Sequence, residues 1–353
     1  MLGAIKSAIA GYATAPYSLL QSWENSNVEL RQYEEAMWVF NDKSGSNLDA
    51  LNSELFRDNF KYISGVNKER AQVCIGIHLR RTAEALVRVL PGTEQSQTKL
   101  KIILICGGTD VYEEYLHDDH FQSMNRVLKF CSIVIVFNQP MKDQFLSIWP
   151  EFTGRLEIVP QSIDLPKMDV EETDKYHLIL WIGRLRGVKD PENALRNFLF
   201  WRDKTSSIDF RMLFIGNIEE KDAEVEAFIQ VLSSSTTVEW KQSMDRRELH
   251  SLMKRSALLV NSSRNEGQCL TIMEAQMLEL PVLARSNPGN SALIDHKQTG
   301  YLYSSPAEFC TGVDFILMNR SQLATKAKQF ALKPCFSPEH ERHMYQKLIE
   351  SLA

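Results

Sequence analysis

The chain has 353 residues, 44% hydrophobic and 24% charged, and its 40 Lys and Arg against 45 Asp and Glu leave a net charge of −5. That length allows two domains with separate cores, the composition excludes a disordered or fibrous chain, and the missing basic excess argues against a nucleic-acid surface. No apolar run reaches the ~20 residues that a membrane-crossing helix needs. Six cysteines, scattered without a close pair or metal-ligand spacing, read as reduced thiols of a cytoplasmic protein. The opening MLGAIKSAIAGYATAP holds one Lys and a brief apolar patch diluted by Gly, Ser and Tyr, so secretion is the lesser reading.

Residues 1–70 are poorly defined by pattern. A doubly wound domain opens with a buried strand and a glycine-bearing turn, yet the first apolar strand candidate is the short AMWVF at 36–40. Gly11-Tyr12-Ala13-Thr14 reads as the remnant of such a turn, residues 17–30 as the helix behind it, and 48–63 as a second helix on apolar spacing. This end of the chain is therefore atypical or incomplete. From residue 72 the pattern sharpens into a strand at 73–79, a helix at 80–90, a polar turn at 91–98 and a buried strand at 101–106 that runs into Gly107, Gly108, Thr109 and Asp110. A strand at 133–137, a helix at 141–149 and a strand at 156–159 follow. Strands and helices alternating at this spacing predict an α/β fold with a mostly parallel sheet.

The segment 163–174, IDLPKMDVEETD, is acidic and interrupted by proline, as suits a linker. A second alternation succeeds it: strands at 177–182, 210–215 and 237–240, with helices at 191–201, 219–233 and 246–254. The domains are thus read as 1–165 and 166–336, with a final helix over 337–353 that packs back on the first. Two successive doubly wound halves place ligand sites at the carboxyl ends of their strands.

Two stretches of the second half carry chemistry. Gly183-Arg184-Leu185-Arg186-Gly187-Val188-Lys189-Asp190 follows directly on a strand, where two or three cations in a glycine-flanked loop clamp a diphosphate. A solvated basic turn beside Asp190 is an equally good reading of that loop alone. Residues 256–303 read as strand, polar loop, helix and strand, with Pro281 ending the helical period. The first amides of that helix point unpaired into the crevice and form an anion site. Glu266 and Glu274, with seven residues between them, bracket it. Two carboxylates beside an anion site suit a ligand with both phosphates and hydroxyls, such as a nucleotide sugar. Spacing alone would leave the two Glu as ordinary helix formers.

The block NEGQCLTIMEAQMLELPVLA, with Asn287-Pro288-Gly289-Asn290 and Thr299-Gly300-Tyr301-Leu302 after it, resembles the donor-site signature of retaining glycosyltransferases of family 4. That family has the GT-B fold, so the resemblance implies two doubly wound Rossmann-like domains facing across a cleft. It implies transfer of a hexose from a nucleotide-diphosphate sugar to an acceptor, with configuration retained and no metal or cofactor. Arg184 and Lys189 fall where the family binds the diphosphate, Glu266 where the donor sugar hydroxyls are held, and Glu274 where the ribose is bound. Gly267, Gln268, Cys269 and Leu270 would meet the phosphates, Gly183 the same ligand, and Gly216 would lie near the base. Gly107, Gly108, Thr109 and Asp110 fall on the acceptor side.

Two departures concern the acceptor side. Many family members carry His where Gly107 stands, and Ser162 replaces a usual glycine. Donor binding is therefore better supported than turnover, and a non-catalytic sugar-nucleotide binder or scaffold is the alternative. A dinucleotide oxidoreductase would need a Gly-x-Gly-x-x-Gly turn after a strand, and the sequence has none there.

Overall fold

The computed structural model describes residues 28–33, 37–42, 71–86, 101–165, 177–205, 209–218 and 222–352. The chain divides into two compact units, Met1–Ser162 with Pro338–Ala353, and Ile163–Ser337. Each holds one six-stranded sheet.

In the first unit the strands lie in chain order: β1 (Val28–Tyr33), β2 (Met37–Asp42), β3 (Ala71–Ile77), β4 (Lys101–Ile105), β5 (Cys131–Val136) and β6 (Arg155–Ile158). β3 to β6 are parallel, whereas β1, β2 and β3 pair antiparallel. This antiparallel entry is the atypical feature of the unit. It also corrects the helix expected over 17–30, because residues 28–30 are strand, with Val28 opposite Asp42 and Leu30 opposite Phe40. Val28 and Leu30 alternate with Glu29 and Arg31, a period of two that the cross-strand partner makes decisive. The expected turn at Gly11–Thr14, the rest of the 17–30 helix, the helix at 48–63, the turn at 91–98 and most of the 163–174 linker lie outside the described residues.

Among the described residues the helices of this unit are α1 (Leu79–Leu86), α2 (Gly108–Tyr112), α3 (Asp118–Leu128), α4 (Gln139–Ile148) and α12 (Pro338–Glu350). The core takes buried side chains of β4 and β5, with Met124, Val127 and Leu128 of α3, Met141 and Phe145 of α4, and Tyr345 and Leu348 of α12. Ser162 donates from both its amide and its hydroxyl to Oε2 of the buried Glu341 on α12. A glycine at 162 would supply only the first of these bonds.

The second unit contains β7 (Leu178–Ile182), β8 (Arg211–Ile215), β9 (Val238–Lys241), β10 (Leu258–Asn261), β11 (Val282–Arg285) and β12 (Tyr301–Tyr303). All are parallel, in the order β12-β11-β10-β7-β8-β9. The chain moves outward one way through β8 and β9 and then the other way through β11 and β12. β7 and β10 thus flank the point where the winding reverses, which is where ligands of open α/β sheets bind.

Alternate residues of each central strand feed opposite faces. Ile179, Trp181, Leu258 and Val260 pack with α5 (Pro191–Thr205), α6 (Ala223–Ser233) and α10 (Pro306–Met318), whereas Leu180, Leu259, Val282 and Ala284 pack with α7 (Arg246–Lys254) and α8 (Leu270–Met277). Such two-sided burial explains why the strands read as continuous apolar runs. The short α9 (Pro288–Ser291) follows β11, and α11 (Arg320–Ala331) follows α10.

Candidate active site

The loop after β7 and the loop after β10 meet at the reversal point. Lys189 Nζ lies 2.6 Å from Glu266 Oε1, with the two side chains 21% and 9% exposed. The same oxygen accepts from Ser263 Oγ at 2.6 Å and Asn261 Nδ2 at 3.3 Å. Burial opposes ionisation of Glu266, but Lys189 and the bonds from Lys189, Ser263 and Asn261 more than offset it and hold the carboxyl below its usual range. Burial likewise works against the ammonium of Lys189, and the Glu266 charge overcomes it, so this group is held above its usual range. Both residues are charged at neutral pH. One of the three N–H donors of Lys189 is engaged by Glu266, which leaves the rest for an anion.

The arrangement is supported from behind. Trp181 Nε1 donates to Ser262 Oγ, and that hydroxyl donates to the carbonyl of Lys189, each at 2.8 Å. The Gly187 amide donates to Asp222, which also caps α6 through the Val225 amide. Asn287 Nδ2 donates to the Ser263 carbonyl, and Asn290 Nδ2 to Asn261 Oδ1 and to the Arg285 carbonyl. Between these two Asn, a Cβ on Gly289 would come 2.0 Å from the Glu266 carbonyl, so only glycine lets α9 seat against the loop. Gly216 ends β8 at φ +149°, and a Cβ there would stand 1.8 Å from the Gly183 carbonyl. Both positions need glycine.

Asp190 is the turning point of the cationic loop. It adopts a left-handed conformation at φ 47°, accepts from the Asn193 amide at the start of α5, and presents Oδ2 to Arg285 Nη1 at 2.7 Å and Arg264 Nε at 3.2 Å. Arg264 and Arg285 were not singled out in the sequence, since each is a lone cation after a strand end. Only the convergence of β7, β10 and β11 makes them neighbours of Lys189. Arg184 is half-buried in the same loop, directly after Gly183.

At the tip of α8, Cys269 is the N-cap residue and its side chain makes no capping bond, in contrast to Asn138, Asp222, Asp245 and Ser305 at other helices. Burial, with Glu266 nearby, pushes the Cys269 thiol up to about 12. It is a neutral filler rather than a nucleophile. Gln268 turns its side-chain amide onto Met273 Sδ at 2.9 Å and is buried. Glu274 stands apart from the Lys189–Glu266 pair in its partners: Oε1 meets Arg246 at 3.0 Å and His250 at 3.5 Å, both on α7.

In the first unit, Gly107 to Asp110 leave the carboxyl end of β4 as expected from the sequence, and the structure adds His78 from the end of β3. Asp110 is fully buried, and its carboxylate accepts from the amides of Leu79, Arg80 and Gly107. Burial raises its proton affinity, but the neighbouring His78 and these amides bring its carboxyl below the usual range. His78 Nδ1 lies 2.8 Å from Asp110 Oδ1 and Nε2 lies 2.7 Å from Thr109 Oγ1. His78 holds a left-handed φ of 71°, uncommon for a residue with a side chain and paid for by the Asp110 contacts. A Cβ on Gly107 would approach the His78 ring at 3.5 Å, so the imidazole borders the space where a side chain at 107 would lie. A single His after a strand carries no sequence signal, and its placement beside Gly107 depends on the parallel pairing of β3 with β4.

Among the described residues no helix is long and apolar enough to cross a membrane, and no group of three His, Cys, Asp or Glu is disposed to hold a metal ion.

Residues 166–333 match the family model "Glycosyl transferases group 1", and residues 12–105 match that of the "SOUL heme-binding protein". Glycosyltransferase 1 domain-containing protein 1 of Xenopus tropicalis is 30% identical over 271 residues, covering 70% of this chain and 75% of that protein. The sucrose-phosphate synthase of Thermosynechococcus elongatus superposes with a TM-score of 0.63 at 15% identity, over 80% of this chain and 74% of that one. The Anabaena protein HepE, solved with UDP-glucose, gives a TM-score of 0.63 at 14% identity, over 77% and 76%.

Proposed function

Because the chain belongs to the glycosyl transferases group 1 family, has the GT-B fold and is a glycosyltransferase, we propose that it moves a hexose from a nucleotide-diphosphate sugar to a hydroxyl acceptor, with retention and without a metal ion. The observation that carries this reading is the Lys189–Glu266 pair at the reversal point of the second sheet, with Arg264 and Arg285 gathered on the adjacent Asp190. The likeness to a protein solved with UDP-glucose favours the same ligand class.

In this reading Lys189 and Arg184 hold the diphosphate and offset the charge that grows on it as the sugar departs. The main-chain amides of Gly267, Gln268, Cys269 and Leu270 meet a phosphate at the tip of α8. Glu266 has three donors converging on Oε1, and its Oε2 is left to accept from a sugar hydroxyl. Glu274 accepts from the ribose hydroxyls, and Gly183 and Gly216 let the nucleotide approach the main chain. Protein cations then do the neutralising that a divalent ion performs elsewhere. On the acceptor side the reading assigns the Thr109 hydroxyl, held by His78 Nε2, to an acceptor hydroxyl, with Gly107 and Gly108 shaping the loop and Asp110 holding the imidazole. Among the described residues the thiols of Cys106, Cys269, Cys310 and Cys335 carry no disulfide, which suits a cytoplasmic location.

The match to a haem-binding family does not alter this assignment. His78 is the one histidine of residues 12–105, and its two ring nitrogens face Asp110 and Thr109. The described residues of that span therefore offer no open imidazole as an axial ligand, and no step runs through a haem.

The test is a titration of UDP, GDP and ADP, followed by hydrolysis and transfer assays on a panel of nucleotide sugars, for wild type, Lys189→Ala and Glu266→Gln. The reading predicts binding of at least one nucleotide, weakened about tenfold or more by Lys189→Ala. Equal binding by all three proteins would refute the site.

A further inference from the structure

Helix α7 carries Arg246 and His250, four residues apart and so on one face of the helix. Both approach the same oxygen, Glu274 Oε1, at 3.0 Å and 3.5 Å. Their settings are opposite. The Arg246 side chain is 56% exposed, whereas that of His250 is 0% exposed. Neither ring nitrogen of His250 has a hydrogen-bond partner in good geometry. The neighbouring Leu249, Leu252 and Met253 all pack into the apolar core beneath α8.

A buried donor or acceptor left unsatisfied costs about 1–3 kcal/mol, and an apolar residue at 250 would avoid that cost. The carboxylate facing the imidazole is that of Glu274, whose Oε1 lies 3.5 Å from Nε2, slightly beyond ordinary hydrogen-bond range. A small shift of Oε1 toward the core would close the gap to an ordinary bond. Arg246 opposes that shift from the solvent side, where it is also tied to the Asp164 carbonyl at 3.3 Å. Exposed contacts of this kind are weak and easily exchanged.

We propose that α7 sets the ribose-recognising state of Glu274 from two sides. Arg246 covers the carboxylate until a nucleotide displaces it, and His250 then donates from Nε2 to Oε1, aiming the carboxylate at the 2′- and 3′-hydroxyls of a ribonucleoside diphosphate. His250 is a positioning residue for ribose over deoxyribose. The inference rests on the reading of Glu274 as the ribose-binding carboxylate.

The experiment is an equilibrium titration of UDP and 2′-deoxy-UDP into wild type, His250→Phe, His250→Gln, Glu274→Gln, the His250→Phe/Glu274→Gln double variant and Arg246→Ala, with GDP and 2′-deoxy-GDP in parallel. Thermal melts check folding. Wild type should prefer the ribonucleotide by about tenfold or more, the worth of a hydrogen bond to a charged group. His250→Phe should cut the preference to under about threefold, His250→Gln, which keeps a donor, should restore most of it, and the double variant should behave as Glu274→Gln alone. Arg246→Ala should bind UDP more tightly with the preference intact. Should His250→Phe fail to fold, His250→Gln against the shorter His250→Asn carries the same comparison.

A full ribose preference in His250→Phe, or in His250→Asn where that variant is used, overturns the proposal, as do losses that multiply in the double variant. Weaker UDP binding by Arg246→Ala overturns the covering role. A wild type that binds no nucleotide refutes the donor-site reading itself, and this inference falls with it. Nucleotide binding that ignores position 250 refutes this inference alone.

Discussion

Replacing Lys189 by Met removes the ammonium and keeps most of the stem, so the perturbation is chiefly one of charge. It leaves the Glu266 carboxylate, 9% exposed, with Ser263 and Asn261 as its remaining donors. Breaking a buried ion pair by removing one partner costs about 3–5 kcal/mol, and the partial exposure of Lys189 moves the expectation to about 3 kcal/mol. For a unit of this size that is a fall in Tm of roughly 6–12 °C. Adding Glu266→Gln to Lys189→Met removes the stranded charge, so the double variant should regain much of the loss, and the cycle should show clear coupling.

The pH dependence of the Lys189→Met effect has a defined sign. Glu266 titrates below its ordinary 4.5 in the folded chain, so its contribution is full above that value and is lost as pH falls through the folded pKa. Lys189 titrates above its ordinary 10.5, so its contribution is full below that value and is lost as pH rises through the folded pKa. The Tm difference between wild type and Lys189→Met should therefore be flat from about pH 5 to about pH 10 and shrink on the acid side. Melting curves across that range provide the assay. A Lys189→Met protein that melts with wild type at neutral pH, or a difference that grows as pH falls below 4.5, would refute the pairing.

Further outcomes follow from the same geometry. Asp190→Ala should lower stability by about 1–2 kcal/mol through the lost cap on α5 and should weaken nucleotide-diphosphate binding by releasing Arg264 and Arg285, read by melting and titration together. Gly216→Ala should cost about 3 kcal/mol or more or prevent folding, since its Cβ meets the Gly183 carbonyl, and soluble yield with melting temperature checks it. Cys269 should resist alkylation by iodoacetamide at about pH 8 in the folded protein and react after denaturation, as mass spectrometry of the labelled peptide would show. Asp110→Asn should release His78 from its left-handed backbone and reduce sugar transfer while leaving the UDP affinity of the second unit within about twofold.

The parallel halves were legible in the sequence where strands are buried on both faces, because runs such as LILWI at β7 and LLVN at β10 admit few other readings. The helix from Leu270 and its stop at Pro281 were legible for the same reason, a clear change of period with a breaker behind it. Where pattern was short the reading failed. Val28 to Leu30 alternate over too few residues to oppose a helical reading, and their strand exists through its pairing with β2. β12, α10 and α11 were not separated either, since Gly300-Tyr301-Leu302 reads equally as a turn until β11 supplies the partner.

At the site, Lys189, Glu266 and Glu274 could be proposed in advance because they sit in contiguous blocks that resemble a family signature, although their spacing alone left the ordinary reading open. The residues brought in by topology could not. His78 meets Gly107 through the pairing of β3 with β4, Arg264 and Arg285 meet on Asp190 through the order of β7, β10 and β11, and His250 meets Glu274 through the packing of α7 on α8. Single residues of ordinary type carry no periodicity or motif, so their convergence is a property of the fold.

A crystal structure of the protein with UDP bound tests the central assignment most directly. The account predicts the diphosphate at Lys189 Nζ and the main-chain amides from Gly267 to Leu270, with the ribose hydroxyls on Glu274. A nucleotide seated elsewhere, with Lys189 and Glu266 untouched, would contradict it.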